Sequence, residues 1–167
     1  ITIIMNVIQH SGLGEATARH FRGLGAQVTL LDRDNARGEK VAAEIGAHFA
    51  ETDLTDETSV AAAIAQAKSS MGRITAAINC AGIATGAKTL GRDGPHPLEA
   101  FRKTIDINLV GMFNVARLAA AEMAGNDPDT GGARGVIVNT ASIAAFIVEC
   151  GSFNGEVIRL DGALRMQ

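Results

Sequence analysis

Two glycines and a distant acid carry the first chemistry legible in this sequence. Ser11-Gly12-Leu13-Gly14-Glu15-Ala16-Thr17 follows one apolar run, and Leu30-Leu31-Asp32 closes another. Gly12 and Gly14 let the backbone approach a pyrophosphate and let a helix pack close to a strand, so that phosphate meets the helix N-terminus. Asp32 lies about 20 residues further on, where a carboxylate can accept both hydroxyls of an adenosine ribose. That carboxylate would repel a phosphate on the ribose, which favours NAD over NADP; Arg33 beside it pulls the other way. Taken alone, Gly-x-Gly equally marks an ordinary strand-to-helix turn, and Asp32 an acid at a strand end.

Alternating strands and helices must position these groups. Residues 1–8 read as strand, 14–24 as helix, 27–32 as strand, 35–45 as helix and 47–52 as strand. Thr55-Asp56-Glu57 caps a helix running to about Ser70. Residues 74–79 form a strand, 84–97 a Gly/Pro-bearing loop, and 98–123 a long helix with Ile105, Leu109, Met112, Phe113 and Ala116 at helical spacing. After a polar loop over 125–132, residues 136–139 and 156–160 are strands. This order predicts an α/β fold with a doubly wound parallel sheet, its ligands at the carboxyl ends of the strands.

The 167 residues suit one domain, 47% hydrophobic and 20% charged, with aromatics at only 4%. The core is therefore expected to be built from Ala, Val, Ile and Leu. A net charge of −3 with no basic cluster argues against nucleic acid or acidic membranes as partners. Cys80 and Cys150 make no disulfide framework, and no Cys/His spacing suits a metal, so a reducing compartment is expected. The opening run, Ile1 to Ile8, has no basic flank and reads as a buried strand, not as a signal peptide or membrane span.

Asp53-Leu54, Asn79-Cys80-Ala81-Gly82, Asn108 and Asn139-Thr140-Ala141-Ser142 follow one another in the order of the short-chain dehydrogenase/reductase family, which the chain resembles. Longer blocks, Asn79 to Ala84, Asn108 to Val115, Gly132 to Ser142 and Asn154 to Ala163, resemble its type II 3-hydroxyacyl-CoA dehydrogenase branch, which also oxidises some steroid alcohols. The resemblance runs from Ser11 onward and implies a three-layer αβα Rossmann-type fold. It implies NAD as cofactor, and an oxidoreductase interconverting secondary alcohols and ketones, with 3-hydroxyacyl-CoA or a short hydroxy compound as small-molecule substrate. It further implies a homotetramer, in bacterial cytoplasm or the mitochondrial matrix. Carried over residue by residue, Ser11, Gly12, Leu13 and Gly14 would meet the cofactor's phosphates. Asp32 would hold the adenosine ribose, Asp53 and Leu54 the adenine, and Cys80 the neighbouring ribose through its backbone, with Asn79, Ala81 and Gly82 also binding the cofactor. Ser142 would hydrogen-bond the substrate oxygen, and Asn108 would support a water in a proton relay. Plainer readings stand beside these: Cys80 as a small buried hydrophobe, Ser142 as a turn serine, Asn108 as a cap or surface residue.

The pattern breaks in two places. Val7-Ile8-Gln9-His10 occupies the place of the family's Thr-Gly and the small residues that follow it. The family's Tyr-x-x-x-Lys, due a little over a dozen residues after Ser142, is missing, and the sequence has no tyrosine. The family-like text stops at Phe146 and resumes at Ile147, with the Tyr/Lys segment, one strand and its helices lost between. Two accounts are open: these residues are portions of a longer chain, or the segment is deleted. The first is favoured, because deletion would expose a sheet edge. The expectation is thus one dinucleotide-binding domain over 1–167, incomplete after Phe146. The alternative is a catalytically inactive nucleotide-binding or scaffold homologue.

Overall fold

The computed structural model describes residues 1–6, 12–83 and 88–140. Ser11, Ser142, the Phe146–Ile147 junction and the strand expected at 156–160 lie outside them. In chain order the elements are β1 (Thr2–Asn6), α1 (Leu13–Gly23), β2 (Gln27–Asp32), α2 (Asn35–Ile45), β3 (His48–Glu51) and α3 (Glu57–Met71). There follow β4 (Ala76–Asn79), β5 (Leu90–Gly91), β6 (Gly94–Pro95), α4 (Leu98–Ile105), a π-helical turn (Asp106–Gly111), α5 (Met112–Met123) and β7 (Val136–Asn139).

Five strands form one parallel sheet in the order β3-β2-β1-β4-β7. The chain builds outward from β1 to β3, then crosses to the other side of β1 for β4, which makes the β1/β4 crevice the topological switch point. Side chains alternate along the central strands. Ile3, Met5, Val28, Leu30, Ala76 and Ile78 face α1 and α2, where Ala18, Val41 and Ala42 close the core. Ile4, Leu31 and Ala77 face α3 and α5, packing with Val60, Ile64, Met71, Val115 and Met123. Both faces are covered, which gives the three layers expected and explains why β1 and β2 read as near-continuous apolar runs. Among the described residues β7 ends this sheet, and its Val136 and Val138 are about half exposed.

Local chemistry sets the helix starts. Asp34 caps α2 by accepting the Arg37 N–H at 3.1 Å, and Asp56 caps α3 by accepting the Thr58 N–H at 2.8 Å. Two features escaped the periodicity. The expected 84–97 loop contains a minimal antiparallel hairpin, Leu90 opposite Pro95 and Gly91 opposite Gly94, too short to leave a pattern. The long helix forms over 98–123 but widens to π-helix at 106–111. There Gly111 lies against Leu54, where a side chain would be crowded by the Leu54 Cβ at 3.1 Å. Leu98, Leu109, Val110 and Phe113 of this run are exposed. Among the described residues, no helix is long and apolar enough to cross a membrane.

Candidate functional site

The strand register brings the chemistry to one edge. Asn6 pairs in register with Leu31 and Asn79, and Asn79 with Asn139, so β1, β4 and β7 end in a row of three asparagines. Asp32 ends β2 one residue beyond that row.

At the start of α1, Gly12 is the N-cap with φ 61° and ψ −9°, a left-handed conformation that favours glycine. Gly12 brings no side-chain cap to this helix, and an α-helix N-terminus of this kind suits an incoming anion. Gly14 is buried where α1 meets the sheet, and Leu13 is half exposed. Glu15 in the same turn is bound by Arg19 at 2.9 Å and by Arg37 of α2 at 3.3 Å, and both guanidiniums hold its carboxyl below the ordinary range.

Asp32 is 7% exposed, and its Oδ1 accepts the Asp34 N–H at 2.9 Å. Burial pushes its carboxyl pKa up, partly offset by the backbone N–H groups of Asp34 and Arg33. A desolvated carboxylate at a strand end is a strong acceptor with unused capacity. Asp53 is otherwise engaged. Its Oδ1 accepts the Thr55 hydroxyl at 2.7 Å and the Thr55 N–H at 3.0 Å, bonds that pull its pKa down, and Arg33 pairs with it at 3.8 Å. Leu54 is buried, its carbonyl accepting from Asn114 Nδ2 at 3.0 Å.

The turn after β4 is held from two sides. Asn6 Oδ1 accepts the Cys80 N–H at 2.6 Å and the Ala81 N–H at 2.8 Å. Asn108, inside the π-helical turn, accepts the Ile83 N–H and donates to the Ile83 carbonyl, both at 2.8 Å. Gly82, between them, is exposed. Burial raises the Cys80 thiol pKa, and the Thr140 hydroxyl bond to its Sγ partly offsets this.

Asp32, the α1 N-terminus, Asp53-Leu54 and the Asn79–Gly82 turn therefore all lie at the carboxyl end of the sheet; Ser11 and Ser142 lie outside the described residues. Reading the sequence missed Asn6, whose signal was an amide closing an otherwise apolar strand, and missed Asn114 and the Glu15–Arg37 bridge. The adenosine side suits a dinucleotide: a helix N-terminus opening on Gly12 for phosphate and a buried carboxylate for a ribose. Among the described residues, no three His, Cys, Asp or Glu side chains group to hold a metal.

A parallel sheet of this order, covered by helices on both faces, defines a doubly wound, Rossmann-like α/β protein. A short chain dehydrogenase family model matches residues 4–152, and the chain belongs to that family. It is 51% identical to human 3-hydroxyacyl-CoA dehydrogenase type-2 over 140 residues, covering 81% of this chain and 54% of the human protein. The Drosophila melanogaster protein of the same name is 48% identical, over 81% of this chain and 55% of its own length. Among solved structures, 3-hydroxyacyl-CoA dehydrogenase type-2 from Mycobacterium avium superposes with a TM-score of 0.77 at 38% identity, over 87% of this chain and 58% of that one. The chain thus spans about half the length of the curated relatives it matches.

Proposed function

We propose that the chain is the NAD-binding part of a dehydrogenase that interconverts a secondary alcohol and a ketone, with 3-hydroxyacyl-CoA or a short hydroxy compound as substrate. The observation that carries this is the buried carboxylate of Asp32 at the same end of the sheet as the α1 N-terminus, which opens on the left-handed Gly12. Asp32 accepts the adenosine ribose hydroxyls, and the α1 N-terminus, entered through Ser11, Gly12, Leu13 and Gly14, receives the pyrophosphate. Leu54 and the Asp53 backbone flank the adenine, while Asn79, Cys80, Ala81 and Gly82 present backbone to the second ribose. When bound, NAD supplies the hydride acceptor at its nicotinamide ring. Ser142 orients the substrate oxygen, and Asn108, its side chain held by Ile83, supports a relay water through its main chain. The name shared by the human, fly and mycobacterial relatives supports the substrate class.

Neither Ser142 nor Asn108 has a pKa suited to proton transfer at neutral pH. The sequence contains no tyrosine. In this reading, the proton-transferring group belongs to the Tyr/Lys segment expected between Phe146 and Ile147. That same absence favours a second reading, a nucleotide-binding homologue without turnover. A relative 37% identical over 125 residues, covering 74% of this chain and 50% of its own length, is named inactive 2-(S)-hydroxypropyl-CoM dehydrogenase 2, from Xanthobacter autotrophicus. NADH oxidation with acetoacetyl-CoA separates the two: the gene's full-length product turns over in the first and binds NADH without turnover in the second.

A further inference from the structure

We propose that Asn6 is a positioning residue that presets the Asn79–Gly82 turn for the cofactor, an inference resting on the NAD reading above. Asn6 is 1% exposed and ends a strand whose other buried residues are Ile3, Ile4 and Met5 with Thr2 at its start. Burying an amide there is tolerated only when its donors and acceptors are used. They are used: Nδ2 donates to Asn79 Oδ1 at 2.5 Å, and Oδ1 accepts the two backbone N–H groups of the turn. Asn79 Nδ2 in turn donates to Asn139 Oδ1 at 2.6 Å, which completes an amide ladder across β1, β4 and β7.

Packing alone would be served by an apolar side chain at position 6. The amide does what an apolar group cannot: it fixes the Cys80 and Ala81 peptides beyond the end of β4. Asn108 fixes Ile83 at the far end of the same turn. The backbone is then ordered before a ligand arrives, and binding avoids the entropy of ordering it. The crevice involved is the switch point between β1 and β4.

The test compares parent, Asn6→Leu and Asn6→Asp full chains by NADH titration and by hydrogen exchange at the Cys80 and Ala81 amides. A carboxylate at position 6 still accepts both N–H groups, and the ladder accommodates it by turning over the Asn79 and Asn139 amides. Asn6→Leu is expected to weaken NADH binding about tenfold and to speed exchange at both amides. Asn6→Asp is expected to keep NADH affinity within about threefold of the parent, with both amides protected. NADH binding in a folded Asn6→Leu chain as tight as in the parent would overturn the proposal. Should Asn6→Leu not fold, Asn6→Asp decides: protection and affinity retained together support the proposal, and affinity retained without protection overturns it. A parent chain that takes up no NADH is a different result, and removes the dinucleotide reading itself together with this role for Asn6.

Discussion

Asn108 grips Ile83 by both of its main-chain polar groups, accepting the N–H and donating to the carbonyl at 2.8 Å each. The two residues come from different layers, one in the π-helical turn and the other just past β4. Asparagine is a poor helix-interior residue, and here its side chain is spent on another segment's backbone.

Replacing Asn108 with Ala leaves the main-chain N–H and carbonyl of half-buried Ile83 without this partner. Stability is expected to fall by about 1–3 kcal/mol in urea denaturation. A loss under about 0.5 kcal/mol would mean that solvent replaces the clamp at no net cost.

Gly12→Ala tests conformation rather than crowding, since among the described residues an added Cβ would meet nothing within 4 Å but would sit at φ 61°. The expected loss is about 1–2 kcal/mol of stability, with weaker NADH binding if the turn relaxes. Thermal unfolding with and without NADH checks both parts.

Gly38 is the opposite case, a close approach between α2 and β3. A Cβ there would run into the Phe49 ring, so Gly38→Ala is expected to cost about 1–3 kcal/mol. Adding Phe49→Leu should recover part of that loss, and a double mutant showing strictly additive destabilisation would refute the contact.

Asp32 gives the molecule a pH signature. Burial raises its pKa, so the folded chain holds this proton to higher pH than the unfolded chain. Asp32's contribution to stability is therefore greatest below the ordinary carboxylate value, falls as pH rises through the window up to the raised pKa, and is level above it. Denaturation at a series of pH values should show this slope in the parent and lose it in Asp32→Asn. Ribose hydroxyls donate to the charged form, so NAD affinity should rise with pH through the same window.

Much of this was legible because the fold is periodic. Apolar runs bounded by Gly12 and Asp32 specified the first βαβ unit, and α2 and β7 fall at the expected 35–45 and 136–139. The cap at Asp56 was equally readable, because capping is a local bond. What escaped was set by contacts distant in sequence. Asn6 acquires meaning only when the register sets it beside Asn79, and the π-helical turn only when Gly111 lies against Leu54. The spacing of Leu109 and Phe113 announced a helix but not which face is covered, and both are exposed. The family resemblance ordered the candidate residues, while the engagement of Asp53 with Thr55 and Arg33 emerged only from geometry.

Calorimetric titration of NAD into the chain and into Asp32→Asn tests the central claim most directly. The account predicts one-to-one uptake by the parent and affinity lower by about tenfold or more in the variant, the loss of charge-assisted bonds to a ribose. No uptake by the parent, or equal affinity in the two chains, would contradict it.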